Sequence, residues 1–333
     1  AAVERIVAVG DVHGDFDQLV KVLRAAEIIN DKNQWTGGKT HLVQTGDVFD
    51  RGPDSRKAMD LLMSLEAEAA KAGGAVHVLI GNHEAMVLAD HWQYLTEEEL
   101  KSFGGEEEFR KAVGPEGKYG KWIRSHDAVL KLNGILFLHA GLRGGYAKMS
   151  LEEINKAVRE ELTKNQMEDV TADPSGPLWD RRFSLDEGDE VQGQLAEALK
   201  QQGASHMVVG HTVMREGITP RLGGRVICID VGMSKAYGGP ASCLLIDKGV
   251  FYVIEAGKEK RKLDVPAAAA APATVPGKDA PATPPATPAT PSKESPANAA
   301  LTAPPTKTDP KVKMHPAPEV EPTPQTPVPV PTR

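Results

Sequence analysis

Short apolar runs ending in glycine recur along the first two thirds of the chain, and between them lie stretches whose apolar residues fall three and four apart. Arg5 to Val9 reads as a strand. Asp15 to Ile28 follows as a helix with Leu19, Val20, Leu23 and Ala26 on one face. The pattern repeats with a strand over His41 to Thr45 and a helix over Asp54 to Lys71, whose Met59, Leu62, Met63 and Leu65 turn toward a sheet. Ala75 to Ile80 is the third strand, with His77 as a packed or edge residue. A helix-rich insertion then runs from Ala85 to Ser125. Within it Thr96-Glu97-Glu98-Glu99 and Glu106-Glu107-Glu108 read as acid-rich helix starts, stabilised by the helix dipole and facing solvent. Ala128 to His139 predicts a hairpin through Asn133-Gly134, a dipeptide suited to positive backbone angles. A second helical insertion covers about Ser150 to Gly203. The chain is then largely β, with strands at His206 to Val209, Val226 to Asp230, Cys243 to Ile246 and Val250 to Ile254. Alternation of strand, loop and helix predicts an α/β fold of stacked βα units.

Composition changes that picture near Leu263. After the basic run Lys258-Glu259-Lys260-Arg261-Lys262, Pro, Ala and Thr dominate and aromatics disappear. Such a segment buries too little apolar area to offset its ordering entropy. The expected division is a catalytic domain over 1–257 and a disordered Pro/Ala/Thr-rich tail over 258–333. The tail is a spacer, or a segment that docks on a partner or on the cell envelope.

The formal net charge is −7, and the tail carries a small positive surplus, so about −10 remains on the domain. That surface repels polyphosphate backbones, and no nucleic-acid partner is expected. No apolar run approaches the ~20 residues of a membrane-spanning helix. Cys228 and Cys243 read as small core residues. The start at Ala1-Ala2 without Met resembles a chain processed behind a signal peptide, which makes export to the periplasm or medium the expectation and a cytoplasmic location the alternative.

The chemistry sits at the strand ends. Gly10-Asp11-Val12-His13-Gly14, Gly46-Asp47-Val48-Phe49-Asp50-Arg51-Gly52, Gly81-Asn82-His83-Glu84, His139-Ala140-Gly141 and Gly210-His211-Thr212 each follow a hydrophobic stretch. They gather the oxygen and nitrogen ligands that divalent metals take in hydrolytic enzymes. Asp11 and His13, two apart on an extended exit, can point the same way. Asp47 is the expected bridge between two cations, with Asn82, His139 and His211 completing the ligand set of the second cation. A mixed imidazole, amide and carboxylate set suits Mn, Fe, Zn or Co rather than a calcium cage.

In order and spelling these motifs resemble the phosphoprotein phosphatases within the calcineurin-like metallophosphoesterases, over about Val3 to Glu255. Gly176-Pro177-Leu178-Trp179-Asp180-Arg181 and Asp230-Val231-Gly232-Met233-Ser234 look more like the bacterial-type, Shewanella-like branch. The resemblance implies a four-layer β-sandwich flanked by helices, with helical insertions. It implies that Asp11, His13 and Asp47 hold one metal, and Asp47, Asn82, His139 and His211 the other, Mn being expected first. It implies His83 as general acid oriented by Asp50. Arg51 and Arg181 would clamp the phosphoryl group, Asn82 would also face it, and Tyr237 would lie over the pocket. Arg182 competes with Arg181 for the clamp.

The implied reaction is hydrolysis of phosphomonoesters on phosphorylated proteins or peptides, at serine or threonine with tyrosine as the alternative, by water activated between the two cations. The alternatives are a dinucleoside polyphosphate hydrolase or phosphodiesterase on the same scaffold, and a metal-binding adaptor with an inactive site.

Overall fold

The computed structural model describes residues 2–266, so the tail beyond 266, with its expected disorder and docking role, lies outside the described residues. In chain order the first elements are β1 (Arg5–Val9), α1 (Phe16–Ala25), β2 (His41–Gln44), α2 (Ser55–Ala72) and β3 (Ala75–Val78). The first insertion supplies α3 (Asn82–Leu88), α4 (Glu97–Phe103), α5 (Glu106–Val113) and α6 (Lys118–Arg124). The hairpin β4 (Val129–Leu132) and β5 (Ile135–Leu138) follows, then α7 (Leu151–Thr163), α8 (Arg182–Leu185) and α9 (Asp189–Gln201). The last elements are β6 (His206–Val209), β7 (Thr219–Arg221), β8 (Val226–Cys228), β9 (Ser242–Asp247), β10 (Val250–Glu255) and β11 (Arg261–Lys262).

These strands form two sheets, one in the order β11-β10-β9-β1-β2-β3 and the other β4-β5-β6-β8-β7. Parallel pairing is confined to β1, β2 and β3 in the first and to β5, β6 and β8 in the second. Strands buried on both faces need cover on both sides, and β5, β6 and β8 are buried at every position. The two sheets meet directly where the rings of His206 on β6 and Phe251 on β10 lie 4.9 Å apart. Helices cover the other faces, as when α1 buries Leu19, Val20, Val22 and Leu23.

Register places the site. Val9 pairs with Gln44, Gln44 with Val78, Leu138 with Val209, and Val209 with Cys228. Parallel strands that end level deliver the residues just beyond them to one rim. Asp11, Asp47, Asn82, His139 and His211 all lie just past these ends.

Several boundaries differ from expectation. Helix α1 stops at Ala25 because Glu27 turns into the left-handed region at φ 56°. Strand β7 went unrecognised because it contains Pro220; it is the edge strand of its sheet, where a missing N–H costs least. The boundary after residue 257 also moves. Arg261 and Lys262 pair with β10 and Leu263 is buried, so regular structure continues through the basic run, past the expected boundary. Cys228 and Cys243 lie in different sheets as free, buried thiols, pushed up to about 11 and about 12 by burial. Among the described residues no helix is long and apolar enough to cross a membrane.

Candidate metal centre and active site

Five of the side chains at the rim sit on strained backbone: His13, Asp47, Asp50, Arg51 and His211 have φ of 46°, 60°, 71°, 71° and 66°. A non-glycine residue in that region costs on the order of 1–3 kcal/mol and persists only where the surroundings over-determine it. One determinant is Glu84, buried in the first turn of α3. Its carboxylate accepts from the amides of Asp47 at 2.7 Å, Val48 at 2.7 Å and Gly81 at 2.8 Å. The sequence motif contains Glu84, yet nothing in the sequence assigns it a role, because the loop amides of Asp47 and Val48 that it holds lie 37 and 36 positions away.

The histidines reveal what the site is built to hold. A carbonyl only accepts, so a ring nitrogen facing one must carry the proton. His13 Nδ1 faces the Phe49 carbonyl at 2.9 Å, His139 Nδ1 the Thr45 carbonyl at 2.9 Å, and His211 Nε2 the Trp179 carbonyl at 3.2 Å. Where such a ring is neutral, its remaining nitrogen presents a bare lone pair inward. His139 Nε2 thus faces His211 Nδ1 at 3.1 Å, Asn82 Oδ1 at 2.8 Å and Asp47 Oδ2 at 3.3 Å. His13 Nε2 lies 3.9 Å from Asp11 Oδ2 and 3.8 Å from Asp47 Oδ2. Acceptors turned against acceptors repel unless a cation lies between them, and outer nitrogens tied to carbonyls are the usual support for metal-binding imidazoles. The residues present therefore fit divalent cations.

Close backbone approach makes room for this convergence. A Cβ on Gly81 would lie 2.2 Å from Asp47 Oδ1, and one on Gly210 would lie 2.3 Å from Asp11 Oδ1. Asp11 is further fixed by the His211 amide, 3.1 Å from both of its oxygens.

Electrostatics carry the same message. Burial, with Asp230 and Asp47 nearby, holds the Asp11 carboxyl well above its usual range. Burial pushes Asp230 up to about 6. It also lowers His13 to about 4, and with His139 it holds His211 well below its ordinary value. Burial also opposes ionisation of Asp47, yet His139, His83 and His13 together draw it well below the usual carboxylate range. A buried carboxylate ringed by imidazoles and crowded by other acids is a strong ligand field for a cation.

Beside this cluster His83 Nδ1 contacts Asp50 Oδ2 in a short hydrogen bond. Burial disfavours its charged form, but attraction to Asp47 and the Asp50 contact outweigh that and raise its pKa. Its Nε2 turns toward the cluster, 3.8 Å from Asp47 Oδ2. The Arg51 guanidinium stacks 4.3 Å from the Tyr94 ring centroid and 5.9 Å from that of Tyr237, and the Arg51 amide donates to the Tyr94 carbonyl at 3.1 Å. Tyr94 was not among the expected residues; it lies in the first insertion, away from any strand end. Tyr237 also lies 5.6 Å from the His13 ring.

Arg181 and Arg182 separate clearly. Arg181 Nη1 donates to the His211 carbonyl at 2.7 Å and to Thr212 Oγ1 at 3.1 Å, at the edge of the cluster. Arg182 turns away to Glu190 at 2.8 Å on the surface.

Comparison with known proteins agrees with this geometry. Residues 4–215 match the calcineurin-like phosphoesterase family. Shewanella-like protein phosphatase 1 of Plasmodium berghei is 30% identical over 275 residues, 78% of this chain and 76% of that protein. Shewanella-like protein phosphatase 2 of Arabidopsis thaliana is 29% identical over 283 residues, 70% of this chain and 72% of that protein. The crystal structure of the cold-active protein-tyrosine phosphatase of a psychrophilic Shewanella species is similar at a TM-score of 0.71 and 27% identity, covering 79% of this chain and 81% of that one. The chain belongs to the calcineurin-like phosphoesterases, in the branch of the Shewanella-like phosphatases. It is a metal-dependent phosphatase.

Proposed function

We propose that this phosphatase hydrolyses phosphomonoesters on phosphorylated proteins or peptides and uses two divalent cations, with Mn as the first candidate. The observation that carries the reading is Asp47 Oδ2, a single carboxylate oxygen within 3.8 Å of imidazole nitrogens from His13, His83 and His139. Asp11, His13 and Asp47 would hold one cation, and Asp47, Asn82, His139 and His211 the other. Bound there, such a pair supplies positive charge to phosphoryl oxygens and acidifies water.

The chain's own groups account for the rest. Arg51 and Arg181 bind phosphoryl oxygens through forked N–H donors. Stacking on Tyr94 holds the Arg51 plane in place. Asp50 accepts a hydrogen bond from His83 Nδ1–H and stabilises the imidazolium, leaving Nε2–H to protonate the departing alkoxide or phenoxide. Asn82 sits close enough to the same cluster to share in phosphate contact, and Tyr237 flanks it beside the His13 ring and the Arg51 guanidinium.

Protein chelated free of metal tests the reading. Phosphotyrosine and phosphothreonine peptides are assayed in parallel before and after Mn addition, with metal stoichiometry read by native mass spectrometry. We expect Mn to restore turnover, and Asp47→Asn to lose at least about 100-fold. Undiminished turnover in Asp47→Asn, or after full chelation, refutes it. Preference for bis(p-nitrophenyl) phosphate over p-nitrophenyl phosphate points instead to the phosphodiesterase alternative.

A further inference from the structure

The segment from Gly176 to Arg181 lies against both motifs that supply imidazoles to the proposed second cation. The Pro177 carbonyl accepts from the Ala140 amide at 3.0 Å, directly after His139. Packing there is close, since a Cβ on Gly141 would lie 3.0 Å from the Asp180 carbonyl oxygen. The Trp179 carbonyl faces His211 Nε2 at 3.2 Å, and Arg181 Nη1 donates to the His211 carbonyl at 2.7 Å. Among the described residues no hydrogen bond runs from this segment to Asp11 or His13 of the proposed first site.

The Trp179 side chain ties that segment to a separate part of the fold. Its indole N–H donates to the Thr171 carbonyl at 2.7 Å, while the ring meets the His211 ring edge-on, at 88° with centroids 5.9 Å apart. Thr171 is at 0% exposure and is held in turn by Glu161 in the last turn of α7. The Glu161 carboxylate accepts from the Val170 amide at 2.8 Å, the Thr171 amide at 3.2 Å and the Thr171 hydroxyl. Bonds to an ionised acceptor are roughly twice as strong as neutral ones, which makes Glu161 a firm anchor.

A carbonyl can fix an imidazole only if its own position is fixed. Packing against His211 requires a ring but no N–H, whereas the bond to Thr171 requires an indole. We propose that Trp179 is a positioning residue for the second cation: through Thr171 and Glu161 it holds in place the carbonyl that orients the His211 ring. The inference rests on the reading of His211 as a metal ligand. Groups behind metal-binding histidines typically change metal affinity 10–100-fold when lost; here the carbonyl stays and its anchor goes, which places the effect at the lower end.

The readout is metal affinity. Chelated full-length protein is titrated with Mn alone, stepwise occupancy is followed by native mass spectrometry, and electron paramagnetic resonance separates single Mn ions from coupled pairs. Trp179→Phe keeps the ring and the carbonyl and removes the N–H. It should lower one of the two stepwise affinities about tenfold and leave the other within about twofold, so that uncoupled Mn accumulates where the parent shows pairs. Glu161→Gln should give the same split, smaller in size. Trp35→Phe removes the same kind of bond, to the Gly38 carbonyl at 3.1 Å, before the start of β2, and should change neither affinity.

Equal losses at both steps, no loss, or a Trp35→Phe protein as impaired as Trp179→Phe overturns the proposal. If Trp179→Phe does not fold by circular dichroism, Glu161→Gln carries the same outcomes. His211→Ala is the reference. A parent that takes up one Mn, or a His211→Ala protein that takes up two as tightly as the parent, means that the second-cation reading has failed, and this proposal falls with it. Loss of one Mn in His211→Ala with full affinity in Trp179→Phe overturns this proposal alone.

Discussion

Replacing Glu84 by Gln changes one atom's chemistry and almost no volume, which makes it a sharp probe of how the ligand loop is held. Oε1 serves the Val48 amide at 2.7 Å; Oε2 serves those of Asp47 at 2.7 Å and Gly81 at 2.8 Å. In the better orientation the glutamine oxygen keeps Asp47 and Gly81, and its NH2 group opposes the Val48 N–H. The two retained bonds pass from charged to neutral acceptors, losing about 1 kcal/mol each, and the orphaned Val48 amide costs about 1–3 kcal/mol. Part is returned, because burial opposes ionisation of Glu84 and raises its pKa. The net expectation is a loss of about 2–3 kcal/mol, or roughly 5–10 °C in Tm for a domain of this size. Asp47 and Asp50 move with the loop, and a misplacement on the order of 1 Å costs about 100-fold in rate. Thermal melts with and without Mn, paired with steady-state kinetics on p-nitrophenyl phosphate, measure both. A melt within about 1 °C of the parent, together with unchanged kcat, would show that the carboxylate is not what holds the strained loop.

The paired arginines give a second expectation. Arg181→Ala should lower kcat/KM on a phosphopeptide by about 10–100-fold through loss of a forked phosphate contact, while Arg182→Ala, whose partner Glu190 is on the surface, stays within about twofold. Steady-state kinetics giving the reverse order would move the clamp to Arg182. Glu99 supplies a pH dependence. Its folded-state pKa of about 8 lies above its ordinary 4.5, so between those values the folded chain keeps a proton that the unfolded chain has released. Its contribution is fully present below 4.5 and is lost as pH rises through 8, with a slope of at most about 1.4 kcal/mol per pH unit. Urea unfolding of the parent and Glu99→Gln at several pH values should show the parent declining more steeply; parallel profiles refute the assignment.

How much of this could be read before the fold was known depends on the distance over which each cause acts. The strands that carry Asp11, Asp47, Asn82, His139 and His211 were legible because alternating apolar runs and glycine turns are local signals. The hairpin at Asn133-Gly134 was legible for the same reason; both residues adopt positive φ, 50° and 73°. Tyr94 and Glu99 were not. Both lie in the helical insertion, and nothing around them in sequence distinguishes a residue that packs against a distant loop from one that faces water. Glu99 follows a threonine cap in an acidic first turn, a pattern that fits a solvated helix start equally well, and only tertiary packing brought it to 0% exposure.

Sequence alone determined the chemical identity of the proposed ligands, their order along the chain, and the alternation of strand and helix that brings them to strand ends. The tertiary structure decided which atoms face one another. It turned one nitrogen each of His13, His139 and His211 inward by placing carbonyls behind the outer ones, set Arg181 at the edge of the cluster and Arg182 on the surface, and buried Glu84 against main-chain amides. Spacing along a chain records periodicity, whereas hydrogen bonds between residues 36 and 200 positions apart exist only after the strands have assembled into sheets and the sheets have packed together.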